Sequence, residues 1–120
     1  MDRIFKFLKT FSSGNYKDFA KQLGFASWNE VMESTFEVFR IPPDASYYAT
    51  RLSKETWIVW NDEGHPPYSF SQFDTWYEAI EHLRTVFEEE GYPEECWNPE
   101  GFDTEEDVFN NIPDENKRIQ

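Results

Sequence analysis

Cysteine, histidine and long apolar runs are scarce in this chain, and in its second half so is positive charge. Cys96 is the single cysteine among 120 residues. That excludes an internal disulfide and any multi-cysteine zinc or iron–sulfur site, and it fits a reducing compartment. No apolar stretch approaches the roughly 20 residues needed to cross a bilayer. Residues 1–11 also lack the apolar core and small-residue cleavage site of a secretory signal, so a cytoplasmic protein without a membrane partner is expected. A Gly-rich phosphate loop, a Gly-x-Ser-x-Gly elbow and a His-Glu-x-x-His pair are all missing from the sequence, which removes the common sequence signatures of nucleotide binding, serine hydrolysis and zinc hydrolysis.

The two histidines are His65, in a Pro-rich stretch, and His82. His82 follows Glu78 by four residues, a spacing that puts both on one helix face. Two ligands fall short of the three protein donors that a zinc site requires, so an exposed i, i+4 pair is the expectation and no metal or cofactor is assigned. Cys96 lies between Glu95 and Trp97, neighbours that disfavour a thiolate, and reads as an inert or half-buried thiol. The acidic residues do not follow the fixed alternation of an EF-hand. A non-enzymatic role follows from these readings.

What is present in quantity is acid and aromatic. Residues 1–60 carry 8 Lys/Arg against 7 Asp/Glu, whereas residues 61–120 carry 3 against 17, so the net charge of −13 arises entirely in the second half. From Glu88 to Asp107 ten carboxylates occur with no base, interleaved with Tyr92, Trp97 and Phe102. A run of that density repels nucleic acid and attracts basic surfaces. A solubilising face is the commoner role for charge runs, but solubility alone needs no aromatics. With 12 Phe, 6 Tyr and 5 Trp, the chain has ample apolar area for one core.

Periodicity predicts a mixed α+β domain over residues 1–112, followed by a frayed end at 113–120. Apolar residues at helical spacing predict N-terminal helices at 2–11, 15–23 and 28–40, the last opened by a Ser27-x-x-Glu30 capping box and stopped by Pro42-Pro43. The first helix has a basic face, yet three bases do not offset a net charge of −13 near anionic lipid, and a membrane anchor is discounted. The loose helix-turn-helix spacing around Gly24 carries Glu30, Glu33 and Glu37 where phosphate contact needs Lys or Arg, so DNA reading is discounted too. Period-two segments predict a three-stranded antiparallel meander at 46–52, 56–61 and 68–73. Large apolar side chains on both faces of 56–61 mark it as central. Thr75-x-x-Glu78 and Gly91 then bound a helix at 75–90, and an acidic C-terminal segment follows, with a short helix expected at 104–111.

These features predict a protein-interaction module whose working surface lies between Asp74 and Phe109. The candidate binding residues are Glu94, Glu95, Trp97, Glu100, Phe102, Asp103, Glu105, Glu106 and Asp107. The expected partner is a protein with a basic surface, bound and inhibited or regulated as immunity-type and other acidic inhibitors act: carboxylates speed encounter and aromatic anchors slow release. Two alternatives are a nucleic-acid mimic of the antirestriction or anti-CRISPR type, whose acids would form an elongated ribbon, and an assembly or scaffold accessory protein working through its sheet edge.

Overall fold

Residues 35–40, which the apolar stripe of the sequence assigns to the end of a long helix, lie in a strand. The computed structural model describes residues 14–52, 56–102 and 108–114. Within them, helix α1 spans Gly14–Gln22 and α2 only Trp28–Glu33, followed by strand β1 at Thr35–Ile41. The expected helix at 28–40 is therefore corrected to one and a half turns plus a strand, and the expected helix at 2–11 lies outside the described residues. The start of α2 is as predicted, with Glu30 N–H donating to Ser27 Oγ at 3.2 Å and Glu30 Oε1 accepting from Ala26 N–H at 3.1 Å. Its end is set by Thr35, whose hydroxyl donates to the Val31 carbonyl at 2.5 Å. A side chain thereby takes a carbonyl that another helical turn would have used.

The meander has four strands, in the order β1-β2-β3-β4. After β1 come β2 (Ala45–Arg51), β3 (Trp57–Asn61) and β4 (Phe70–Phe73), each close to a predicted strand. The last begins two residues late, because Tyr68 leaves the ladder to bury itself at 7% exposure. All neighbours pair antiparallel, and the β1–β2 register shifts between Glu37 and Phe39. That bulge places Val38 and Phe39 both in the interior. It breaks the period of two, and Thr35, Phe36 and Phe39 continue the i, i+3, i+4 spacing of Trp28, Val31 and Met32, which imitates one long helix.

Strand β3 is central, as expected, and its two faces carry separate cores. Trp57 and Val59 face helix α3 (Trp76–Glu90), packing with Trp76, Ala79, Ile80, Leu83 and Phe87. Ile58 and Trp60 face α1 and α2, packing with Tyr16, Phe19, Ala20, Leu23 and Val31. The sheet thus lies between two helical layers. Its α2 side contains a polar chain of contacts: Trp60 Nε1 donates to Thr50 Oγ1 at 2.9 Å, and Thr50 Oγ1 lies 2.6 Å from Thr35 Oγ1. At the end of β3 the buried Asp62 accepts from Ser46 N–H at 2.9 Å and from Tyr48 O–H at 3.1 Å. No helix of the described residues is long and apolar enough to cross a membrane.

Candidate interaction surface

Helix α3 is built as the capping signals predict. Glu78 N–H donates to Thr75 Oγ1 at 3.1 Å, and Glu78 Oε1 accepts from Asp74 N–H at 3.3 Å. Gly91 ends the helix in the left-handed region, its N–H donating to the Glu88 carbonyl. The apolar stripe faces the sheet, which turns Tyr77, Glu78, Glu81, His82, Thr85, Glu88 and Glu89 outward to solvent. Glu90, the last residue of the helix, is exposed as well, and Glu94 and Glu95 carry exposed acids past its end. The last turn holds Glu88, Glu89 and Glu90 and no base. Carboxylates at that end oppose the helix dipole, at a cost of roughly 0.3–1 kcal/mol each.

The one base on α3, Arg84, serves the fold. Its guanidinium donates to Glu88 Oε2 at 2.9 Å and to Glu94 Oε2 at 2.7 Å, and it lies over the rings of Phe87 and Trp97 at 5.1 and 5.0 Å. The hydrogen bond to Glu94 is the chief cause raising its pKa. This arrangement fixes the 3-10 turn Glu94–Cys96 against the helix. The chain then runs along the outer edge of β1. Trp97 bridges to Phe39, Asn98 N–H donates to the Val38 carbonyl at 3.1 Å and Glu100 N–H to the Glu37 carbonyl at 2.9 Å.

The predicted site residues therefore divide. Glu94 and Glu95 are exposed on the acidic face. Trp97 is 5% exposed and stacks on Phe39 with ring centroids 5.8 Å apart, so it anchors the segment to its own domain and is not available to a partner. Glu100 is half-buried, its Oε1 accepting from Glu37 N–H at 2.8 Å. Phe102 is half-buried against Trp76, with centroids 5.9 Å apart. Asp103, Glu105, Glu106 and Asp107 lie outside the described residues, as does most of the expected 104–111 helix. The described part of that helix, residues 108–111, is turn and bend, with the Val108 carbonyl accepting from Trp76 Nε1 at 2.8 Å. Asp114 N–H, in the stretch expected to fray, donates to the Gly101 carbonyl at 3.0 Å.

Tyr77, Glu78 and Glu81 fall within the predicted surface from Asp74 to Phe109 but are absent from its named binding residues, although a helical wheel of 76–90 places them on the face opposite Ala79, Ile80 and Leu83. Tyr77 is 52% exposed, and its hydroxyl donates to Glu81 Oε2 at 2.7 Å. That hydrogen bond, with the repulsion between phenolate and carboxylate, raises the tyrosine pKa.

Between α3 and β4 lies an open groove of about 460 Å³, lined by Gln72, Phe73, Asp74, Glu78, Glu81, His82 and Thr85. The His82 ring packs on Phe73 at 5.0 Å, while Glu78 turns back to the Asp74 amide; the expected contact of His82 with Glu78 gives way to these two. A second cleft, of about 270 Å³, lies where Phe109–Ile112 approaches Trp57, Trp76 and Tyr77. Cys96 is buried. No group of three His, Cys, Asp or Glu arranged to hold a metal ion occurs among the described residues. Comparison with protein-family models, curated proteins and solved structures finds no match to this chain.

Proposed function

We propose that this protein is a small cytoplasmic binding module that uses the outer face of α3 and the turn after it to engage a partner protein with a basic surface, inhibiting or regulating that partner. The observation that carries the reading is the placement of Glu88, Glu89 and Glu90 in the last turn of α3, which holds no base of its own, with Arg84 one turn earlier pairing with Glu88 alone of the three. Those positions lower helix stability, and charge needed only for solubility is better tolerated at the helix N-terminus or on loops. Their effect on a partner is favourable. Carboxylates gathered on one face attract a basic protein over about a Debye length, some 8–10 Å in physiological salt, and raise the encounter rate. Tyr77, at one end of the face, supplies the exposed aromatic that slows release. Binding is the whole of the assigned role, with no reaction and no cofactor.

Nucleic-acid mimicry is the second reading, and one observation favours it. The acids of α3 run along the helix from Glu78 to Glu90, so they form a ribbon about 18 Å long and not a disc. Parallel affinity capture from the source cell, with the natural chain and with a Glu81→Lys, Glu89→Lys, Glu90→Lys, Glu95→Lys variant, tests both. A basic protein held by the first and lost by the second is expected. If oligonucleotide displaces that protein from the natural chain, the mimic reading holds. If both chains retain the same proteins, the acidic face is not the binding surface.

A further inference from the structure

The two edges of the sheet are treated differently. The outer edge of β1 is covered by residues 97–100, which pair with it through the Phe39–Trp97 bridge and the amides of Asn98 and Glu100. The outer edge of β4 pairs with no other strand among the described residues. Its sequence, Phe-Ser-Gln-Phe, contains no charge and no proline, and the β3–β4 register runs from Trp57↔Phe73 to Trp60↔Phe70 without a bulge. Of the usual devices that stop an edge from accepting another strand it has only shortness, at four residues, and no charge, proline or bulge.

The flanks of this edge differ in chemistry. On the α3 side lies the 460 Å³ groove, with Asp74, Glu78 and Glu81 in its walls and the Phe73–His82 pair beside them. On the other side Phe70, 39% exposed, lies near Phe19 of α1 at 6.3 Å. A strand added beside β4 sends successive side chains alternately to these two flanks. Its side chains on one face meet carboxylates, and those on the other meet an apolar ring.

We infer that β4 is the docking edge for an extended segment of the partner in which Lys or Arg alternates with apolar residues. Main-chain hydrogen bonds to β4 hold the segment, and its basic side chains enter the groove between β4 and α3. The inference rests on the acidic-face reading above and gives its partner a conformation and a sequence pattern. A second copy of the chain is the wrong occupant, because pairing two β4 edges brings Glu78 and Glu81 of both copies together in molecules that each carry a net charge of −13.

The test uses a synthetic peptide of about eight residues, a common strand length, alternating valine and lysine. It is prepared unmodified and in two N-methylated forms, each blocking the amides along one edge of the extended peptide. Each is titrated into the full chain while backbone amide resonances are followed. The expected result is that the unmodified peptide shifts the amides of Phe70, Ser71, Gln72 and Phe73. Methylation of one edge should weaken binding roughly tenfold or more, while methylation of the other edge leaves it nearly unchanged. Equal binding by both methylated forms, with shifts confined to the outer face of α3, overturns strand addition and leaves the acidic-face reading intact. Binding insensitive to both salt and Glu81→Lys overturns the acidic-face reading itself. Concentration-dependent dimerisation that shifts the β4 amides without peptide assigns the edge to a second copy and overturns the inference.

Discussion

Arg84 Nη2 lies 2.7 Å from Glu94 Oε2, so the one base on the acidic helix is spent holding the acidic turn that follows it. The carboxylates of Glu88 and Glu94 are 61% and 70% exposed against 25% for the Arg84 side chain, which screens both ion pairs and makes them weak supports. Stacking over Phe87 and Trp97 is the larger part of what Arg84 contributes to stability. Arg84→Ala is expected to destabilise the fold by about 1 kcal/mol, measured by thermal or urea unfolding, and Arg84→Lys to recover little of that loss. Association with a basic partner should be as fast or faster in Arg84→Ala, because the face becomes more negative.

The cover over the β1 edge depends on Gly101. Its φ is +95°, and a Cβ there would lie 2.7 Å from Pro113 Cβ and 3.1 Å from the Asp114 amide. Gly64 has a similar φ of +82° with nothing near the corresponding position, so it isolates backbone strain from crowding. Gly101→Ala should destabilise by about 1–3 kcal/mol and Gly64→Ala by about 1 kcal/mol. Hydrogen exchange supplies the specific readout: the Asn98 and Glu100 amides, which bond to β1, should exchange faster in Gly101→Ala alone.

Much of this fold was legible because local signals agree with the tertiary arrangement. Ser27, Thr75 and Gly91 mark helix ends that the structure reproduces, and alternation in 57–61 identifies the central strand with both faces covered. Strand β1 was not legible. Its bulge at Glu37/Phe39 breaks the alternation that would mark a strand, Phe36 and Phe39 continue the apolar stripe of α2, and Thr35, whose hydroxyl ends α2, resembles, in sequence, an ordinary helix residue. The candidate site was legible as a charge imbalance but misjudged in detail. An aromatic within an acidic run reads equally as an anchor for a partner or for the chain's own core, and only the contact of Trp97 with Phe39 and Arg84 distinguishes the two.

Protonation gives a probe of the outer face. Tyr77 donates to Glu81, and the phenolate form would lose that bond and face a carboxylate. The folded-state pKa of Tyr77 is therefore raised above its ordinary value of 10.0. By linkage, the contribution of this contact is complete below that value and disappears as pH climbs through the raised one. In an ultraviolet absorbance titration, the component removed by Tyr77→Phe should appear above the ordinary tyrosine range. Glu81→Ala should bring it back toward that range. A Tyr77 component already at the ordinary value in the natural chain would mean that the Tyr77–Glu81 contact does not persist in solution.

The central claim is that the acids on the outer face of α3 and the following turn steer a basic partner. The most direct measurement is the association rate constant of the captured partner as a function of ionic strength, for the natural chain and for the Glu81→Lys, Glu89→Lys, Glu90→Lys, Glu95→Lys variant. For the natural chain the rate should fall roughly tenfold or more between low salt and about 0.5 M, with the dissociation rate little changed. The variant should associate slowly at every salt concentration while melting at the same temperature or higher, because replacing Glu89 and Glu90 puts positive charge at the favourable end of the helix. A variant that associates at the rate of the natural chain, with the same salt dependence, would contradict the account.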